Sequence, residues 1–430
     1  MWAAYRSSGR DLCAAAGGRT LDGGPLLNTP AAIGLATILA GVAGCGSGSG
    51  SGAGGGHGFV VRRAMAQAST LYLGGTFREP DNAAGNKLLG HEMLVVLDAS
   101  DPTSPAFVAE QDMKLTRLFS VQGGKLLGVQ PGFDEEAIDG AGPLPRQNLR
   151  LKVFGLSDPE RPALERTIEI PGSEGASVTT VAALDARTML VSIGTGIEPA
   201  DFPLTWIVRL DAAAGSEVVG SVNVACRAPV LDGGTLWCFN GQGLGTGYVV
   251  GFMLGSDGTL TERARAPVDL FILPVGAALG SVSWTMVVVD AMGGSFLLSD
   301  GVNDDVPSNL GLTVNFEGTE ADVVNTGGGE VIVQTEWTLN VMDGESFGFL
   351  SSVAIPGQPY QGYAGGSSVV RLDAAAGAAA SLDGLFAAAL GDYGVMLLGL
   401  TGQALETVGG YYRRFGTDLI NEDTIREGNY

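Results

Sequence analysis

Histidines supply much of the acid–base and metal chemistry of proteins, and this sequence of 430 residues contains two, His57 and His91. Residues 91–95 read HEMLV, which lacks the second histidine of an HExxH zinc motif and cannot place two imidazoles on one helix face. We expect His57 to be solvated in a linker and His91 to have a surface or capping role. We predict no catalytic residue.

Two acidic segments could supply oxygen ligands to a hard cation, residues 134–139 (DEEAID) and 300–305 (DGVNDD). Ca²⁺ takes several oxygen ligands from flexible loops. The ligand order of an EF-hand loop is missing from both segments, and we interpret each as a solvated acidic loop. We predict no cofactor, with Ca²⁺ as a weak alternative whose candidate ligands are Asp300, Asn303, Asp304 and Asp305.

A glycine-rich segment and a few aromatic residues are the other candidates for binding. Residues 241–247 (GQGLGTG) lack the third glycine of a G-x-G-x-x-G phosphate loop, and no helix follows them, so we interpret them as a loop between strands. Four aromatic side chains could contact a sugar or a peptide, although burial in strands explains them as well. These are Trp206, Trp337, Tyr360 and Tyr363.

Cys226 and Cys238 lie 12 positions apart on neighbouring predicted strands. If the chain is exported, its compartment permits disulfide formation. We predict a bridge between these two residues, with two buried thiols as the alternative. No CxxC motif is present, so the bridge would stabilise the fold without acting in redox chemistry.

The segment before the folded part has the features of an export signal. Residues 31–44 (AAIGLATILAGVAG) are apolar and uncharged, too short to span a bilayer but as long as a signal-peptide core. The sequence VAGC that ends at Cys45 resembles a bacterial lipobox, which implies cleavage between Gly44 and Cys45 and lipid attachment to Cys45. Residues 1–30 do not resemble a basic signal n-region, and a buried helix is the alternative for this segment.

The glycine- and serine-rich residues 46–56 (GSGSGSGAGGG) predict a flexible tether next to this cysteine. The resemblance to lipoproteins implies a membrane partner and, since Gly46 follows the cysteine, an outer-membrane location, on either its periplasmic or its surface face. The predicted organisation is a leader (1–44), an anchor with its linker (45–58), a folded domain (59–416) and a polar tail (417–430).

Composition restricts the function of the folded part. The chain has 24 Lys and Arg residues against 46 Asp and Glu, a net charge of −22, which excludes a nucleic-acid partner because such proteins need a basic face. Its 45% hydrophobic content and mean hydropathy of +0.23 argue against disorder. We expect a monomer whose acidic surface keeps it in solution.

Short apolar runs dominate from residue 59, as in residues 93–99 (MLVVLDA), 149–156 (LRLKVFGL) and 248–254 (YVVGFML). They belong to a recurring unit of three strands with a spacing of about 50 residues, which is typical of β-propellers. We predict an all-β propeller of seven blades, with six or eight as alternatives and tandem β-sandwiches as the competing fold. The second strand of each unit starts near residues 92, 149, 204, 247, 294, 338 and 394. For ring closure, we expect strands near residues 59–75 to pair with strands of residues 394–411.

Two of the units share a turn motif. Residues 93–110 (MLVVLDASDPTSPAFVAE) resemble the LVIVD-type repeat of bacterial surface propellers, and residues 151–170 (LKVFGLSDPERPALERTIEI) repeat it. Asp101 and Asp158 can accept a hydrogen bond from the backbone two residues on, and the following prolines fix a tight bend. The later units keep the strands but lose the prolines, so the resemblance is strong only over these two units.

A propeller collects loops from every blade at its ends, which suits partner recognition. We therefore predict a binding or scaffold module that is anchored to the envelope, with another envelope protein or a glycan as its partner. The alternative is a propeller enzyme, a hydrolase or lactonase-like protein, with an acidic and metal-assisted site in the axial channel. That alternative requires several carboxylates that converge within hydrogen-bond distance.

Overall fold

A computed structural model describes most of the predicted folded domain. The chain divides into two compact units, residues 1–53 and 54–430, and the first lies entirely outside the described residues. The described residues of the second unit are 59–77, 92–114, 116–132, 146–176, 178–194, 201–241, 247–268, 274–279, 285–290, 294–299, 309–314, 320–335, 338–354, 369–372, 382–390, 394–413 and 419–420.

These residues form seven antiparallel sheets and no helix. Each sheet consists of four consecutive strands, and the last has a short fifth strand; we call the sheets blades 1–7. The strands are β1 (Phe59–Gln67), β2 (Thr70–Phe77), β3 (Glu92–Asp98) and β4 (Ala106–Lys114) in blade 1; β5 (Arg117–Gln122), β6 (Lys125–Gln130), β7 (Leu149–Gly155) and β8 (Ala163–Ile170) in blade 2; β9 (Val178–Ala183), β10 (Thr188–Ile193), β11 (Thr205–Arg209) and β12 (Val218–Val222) in blade 3; β13 (Ala228–Asp232), β14 (Thr235–Gly241), β15 (Gly247–Leu254) and β16 (Leu260–Val268) in blade 4; β17 (Pro274–Leu279), β18 (Thr285–Asp290), β19 (Gly294–Ser299) and β20 (Asn309–Val314) in blade 5; β21 (Glu320–Asn325), β22 (Glu330–Thr335), β23 (Thr338–Asp343) and β24 (Phe349–Ala354) in blade 6; and β25 (Val369–Leu372), β26 (Gly384–Ala389), β27 (Val395–Thr401), β28 (Ala404–Arg413) and β29 (Leu419–Ile420) in blade 7.

The first strands of the blades lie innermost, around a common axis. Strand β1 contacts both β5 and β25, and further contacts join β5 to β9, β13 to β17, β17 to β21 and β21 to β25. Because strands within a blade are antiparallel, the first and third strands start at the same end. This end also carries the connections between blades, and we call it the connection end. The opposite end, which carries the turns from the first to the second strand and from the third to the fourth strand, is the turn end. The predicted β-propeller is confirmed.

The core lies between the blades. Strand β10 is buried at all six positions, because a neighbouring blade covers each of its faces. Val153 of blade 2 and Trp206 of blade 3 belong to one buried cluster, and Leu71 of blade 1 and Leu397 of blade 7 belong to another. Burial of each such aliphatic side chain contributes about 1.5–3 kcal/mol. One blade alone could not cover its two apolar faces, so the stacking of blades stabilises each of them.

The Ser-Asp-Pro turns adopt the predicted conformation. The carboxylate of Asp101 accepts a hydrogen bond of 3.0 Å from the amide of Thr103, and that of Asp158 accepts one of 3.1 Å from Glu160. Strands β4 and β8 then begin directly after Pro105 and Pro162. These turns connect the third strand of a blade to its fourth, at the turn end.

The turn between the third and fourth strands of a blade also contacts the fourth strand of the preceding blade. Gln111 of β4 donates a hydrogen bond of 3.3 Å to the carbonyl of Pro162 in the blade 2 turn. Arg166 of β8 donates one of 2.8 Å to Leu210 in the blade 3 turn. Ser351 of β24 donates one of 2.6 Å to Gln403 in the blade 7 turn. These contacts form a belt at the turn end, and the Ser-Asp-Pro motif is one of several sequences that make it.

Two contacts of the belt require a glycine on the fourth strand, because the neighbouring turn approaches the strand too closely for a Cβ atom. A Cβ atom at Gly220 of β12 would overlap with the carbonyl oxygen of Gly258 in the blade 4 turn. A Cβ atom at Gly409 of β28 would overlap with the carbonyl oxygen of Pro102 in the blade 1 turn. The second contact joins blade 7 to blade 1.

The predicted exchange of strands at ring closure is wrong. Strand β1 pairs with β2 along its whole length, and β27 pairs with β26 and β28, so each blade keeps its own consecutive strands. Packing closes the ring instead, through the cluster shared by blades 1 and 7 and through the contact of Pro102 with Gly409. The terminal blades can close in this way because each is already complete. Strand β29 falls within the predicted tail, residues 417–430.

Candidate binding site at the connection end

Buried polar side chains mark the connection end, where the second strands finish. Ser192 accepts a hydrogen bond of 2.8 Å from the amide of Cys226 in the segment that leads to blade 4. Asn240 accepts one of 3.2 Å from the amide of Arg227, and Gln334 donates one of 3.4 Å to the carbonyl of Ala389 in blade 7. These side chains satisfy the backbone of the connections, so their role is structural.

A bulge recurs near the start of the first strand in five blades, 1, 2, 3, 5 and 6. A bulge adds one residue to a strand and redirects the side chains beside it. In blade 3, the residue after the bulge is Thr180, which donates a hydrogen bond of 2.8 Å to the carbonyl of Arg227. In blade 6 it is Asp322, which accepts one of 3.1 Å from the amide of Val369. This position therefore links a blade to the next one.

In blade 1, the bulge places Arg62 and Arg63 at the connection end. Glu92 starts β3 and Arg117 starts β5 at the same end. Oε1 of Glu92 lies 3.3 Å from Nη1 of Arg62 and 3.8 Å from Nε of Arg117. Arg63 lies with its guanidinium carbon 4.0 Å from the centroid of the Phe119 ring of blade 2, a cation–π contact. We call Arg62, Arg63, Arg117 and Glu92 the arginine cluster.

The inner members of the cluster are deeply buried, with 8% of Arg63 and 6% of Glu92 exposed. Burial lowers the pKa of Arg63 to about 9, and the positive charges of Arg117 and Arg62 lower it as well. The attraction of Glu92 and Asp322 offsets these effects only in part. Burial also raises the pKa of Glu92, despite the attraction of the three arginines. Because burial lowers the pKa of Arg63 in the folded state, a charged Arg63 costs folding free energy at neutral pH.

The outer members of the cluster face solvent. The side chain of Arg117 is 46% exposed and that of Arg62 is 23% exposed. The guanidinium group is planar and charged at neutral pH, and its donors match the oxygens of a carboxylate or a phosphate. The cluster therefore combines a buried arginine with two that are partly exposed, in a chain whose net charge is −22.

A second feature of the connection end is a depression of about 450 Å³ in blade 3. Its lining includes residues 172–176, which lead into β9, and Phe202, which precedes β11 and is 55% exposed. A larger cleft of about 970 Å³ lies between the outer strands of blades 1 and 2, next to the Gln111–Pro162 contact. The first of these features is a second concave surface at the connection end.

The residues that the sequence analysis singled out and that the structure describes do not belong to the arginine cluster. The structure joins Cys226 and Cys238 in a disulfide bond with a Cα–Cα distance of 4.9 Å, and it buries Trp206 in the core between blades 2 and 3. Outside the described residues lie Gly44, Cys45, His57, His91, Trp337, Tyr360, Tyr363, both acidic segments with Asp300, Asn303, Asp304 and Asp305, and residues 242–246. Among the residues that are described, no group of three or more His, Cys, Asp or Glu side chains is placed to hold a metal ion, and no helix could cross a membrane.

The arginine cluster is not evident from the sequence because its members are far apart in the chain. One signal was present: two consecutive arginines interrupt the apolar strand of residues 59–67 (FVVRRAMAQ). Side chains alternate between the faces of a strand, so one of two consecutive residues must point inward unless a bulge intervenes.

Comparisons with known proteins give a fold and no family. No family model and no curated protein matches the chain. A crystal structure of a protein of unknown function from Desulfotomaculum acetoxidans has a TM-score of 0.53 and 12% identity, over 74% of this chain and 92% of that one. Sqt1 from Saccharomyces cerevisiae has a TM-score of 0.49 and 10% identity, over 83% of this chain and 87% of that one. A provisionally assigned 6-phosphogluconolactonase from Bacteroides fragilis has a TM-score of 0.47 and 12% identity, over 69% of this chain and 85% of that one. At these identities the similarity concerns the fold alone.

Proposed function

We propose that this chain is an envelope-anchored β-propeller that acts as a binding or scaffold module, with the connection end as its ligand face. The observation that supports this proposal is the burial of Arg63 in the arginine cluster at a cost in folding free energy. Charged groups that destabilise the fold are concentrated at functional sites. The exposed side chain of Phe202 and the depression beside it add apolar contact area at the same end.

The enzyme alternative has less support at this end. It needs carboxylates that converge on one point, and the buried carboxylates described at the connection end are Glu92 and Asp322. Glu92 lies between Arg62 and Arg117, and Asp322 accepts the amide of Val369 in the next blade. Both are engaged in contacts that hold the blades together, which favours the binding module.

We expect a photoreactive residue at the connection end to form covalent adducts with the bound ligand or partner in living cells. A photoreactive phenylalanine analogue replaces Phe202, which is 55% exposed at the connection end, or Phe349, which is 58% exposed where β24 leaves the turn end. The two sites match in residue type and exposure, so a difference in labelling between them reflects their location. Irradiated cells should yield adducts of the Phe202 variant, detected by gel shift and intact mass, and none of the Phe349 variant. Equal labelling from both positions, or labelling from neither, contradicts the assignment of the ligand face.

We also propose that Cys45 carries the lipid that anchors the chain to the outer membrane. The support is the apolar segment 31–44, the small residues before Cys45 and the glycine-serine tether after it. Cells that are fed an alkyne-labelled palmitate should label the wild-type chain and leave the Cys45→Ala variant unlabelled. Cys13→Ala is the matched control, since it removes another cysteine of the leader region and should keep the label. Label that survives in Cys45→Ala shows that the lipid is elsewhere.

A further inference from the structure

The depression in blade 3 has a buried apolar lining and an exposed aromatic ring. Ile193 ends β10 and Leu204 precedes β11, and both are buried, whereas more than half of Phe202 is exposed. The volume of about 450 Å³ is within the range of small-ligand sites, about 300–1,000 Å³. An exposed ring that lines such a depression is typical of a residue that anchors a partner.

The hydroxyl groups that line the depression are already used within the protein. Ser173 donates a hydrogen bond of 2.5 Å to the carbonyl of Ile170 and accepts one of 2.8 Å from the amide of Leu149. Thr179 donates one of 3.0 Å to the carbonyl of Ser192. A sugar requires several hydrogen-bonding groups that are directed at it, so these contacts favour a ligand whose contact surface is mainly apolar.

Glu174 gives the depression its charge. It is exposed, and it is the charged residue among the ten described residues of the lining. Asp201, next to Phe202 in the chain, is also exposed. Arg146 packs beside the lining, since a Cβ atom at Gly175 would lie 3.1 Å from its Cδ and 3.5 Å from its Nε. The carboxylate of Glu174 therefore attracts a cationic group of the ligand, whereas the nearby Arg146 repels it.

An arginine side chain matches these features. Its apolar stem can pack on Ile193 and Leu204, as the stems of charged side chains do on apolar surfaces. Its planar guanidinium group can stack on the ring of Phe202 and donate hydrogen bonds to the carboxylate of Glu174. We infer that the depression in blade 3 binds an arginine side chain of a partner protein. This inference rests on the proposed ligand face and adds the chemistry of the partner to it.

The test measures binding of Nα-acetyl-arginine amide to the purified full chain by saturation-transfer NMR titration, which suits weak ligands. The citrulline analogue keeps the stem and the planar end but has no charge, so it should bind at least about threefold more weakly. Glu174→Gln and Phe202→Ala should each weaken binding of the arginine probe by a similar factor. Arg146→Gln removes a like charge and should leave this binding equal or tighter.

Matched controls come from the turn end. Glu345 and Phe349 are exposed, as Glu174 and Phe202 are, so Glu345→Gln and Phe349→Ala should leave binding unchanged. All of the substituted side chains are exposed, so each variant should keep the Tm of the wild type.

The outcomes separate the chemistry of the partner from the location of the ligand face. Equal binding of the citrulline probe, weaker binding by Arg146→Gln, or equal weakening by Glu345→Gln and Glu174→Gln overturns the inference. Failure of the wild type to bind the arginine probe also overturns it. If that probe does not bind while the Phe202 variant still forms adducts in cells, the chemistry of the partner is wrong and the proposed ligand face stands.

Discussion

Gly409→Ala should lower the free energy of unfolding by about 2–3 kcal/mol. The added methyl group would overlap with the backbone carbonyl of Pro102, so the blade 1 turn or strand β28 must move. This contact belongs to the seam between blades 7 and 1, where packing alone closes the ring. Urea or thermal unfolding followed by circular dichroism measures the loss.

Gly328→Ala is the matched control for this substitution. Its Cβ would be nearest to the flexible end of the Glu330 side chain, 3.0 Å away, so the side chain can move aside. The same glycine-to-alanine change should therefore alter stability by no more than about 0.5 kcal/mol. Gly220→Ala, at the equivalent contact between blades 3 and 4, should resemble Gly409→Ala. Unfolding midpoints that coincide for Gly409→Ala and Gly328→Ala would show that the seam does not depend on this contact.

Removal of the disulfide should cost about 3 kcal/mol of unfolding free energy in the chain-entropy account of cross-links. The bond joins Cys226, in the connection between blades 3 and 4, to Cys238 of β14, and both are buried in the cluster between those blades. The amide of Cys226 also donates to Ser192 of blade 3, so the bond fixes a segment that touches both blades. Equilibrium unfolding of the double variant Cys226→Ser, Cys238→Ser measures this cost.

The reducing agent provides the control within the same experiment. Reduction should bring the wild type close to the stability of the double variant, whereas the variant itself should not respond. Thiol alkylation of the purified, unfolded wild type without prior reduction should modify neither residue. Two alkylated cysteines in that sample would contradict the bond.

The period of the propeller was readable from the sequence. The strand starts predicted near residues 92, 149, 204, 247, 294, 338 and 394 correspond to the third strand of each blade. Middle strands are covered on both faces, so they are continuous apolar runs that stand out in the sequence. The predicted unit of three strands has one strand too few, since each blade has four. Outer strands such as β8 are mostly exposed and carry a mixed sequence, so they do not stand out as apolar runs.

The arginine cluster could not be predicted for a different reason. Its members belong to two blades and three strands, and only the ring brings Arg62, Glu92 and Arg117 together. The bulge that sets the direction of Arg63 depends on the register of β1 against β2, which no local motif specifies. The disulfide, by contrast, was within reach because its cysteines are close in the chain and on adjacent elements.

The absence of strand exchange between blades has a consequence for how the chain reaches its native state. Every strand pairing in the described residues joins consecutive strands, so each sheet involves short loop closures and can form early. The contact between blades 1 and 7 spans nearly the whole domain and therefore carries the largest loop-closure entropy. Blades can assemble in order along the chain, and the contact of Pro102 with Gly409 forms last. The expected folding mechanism is therefore a series of local folding steps, one for each blade, followed by slow closure of the ring between blades 7 and 1.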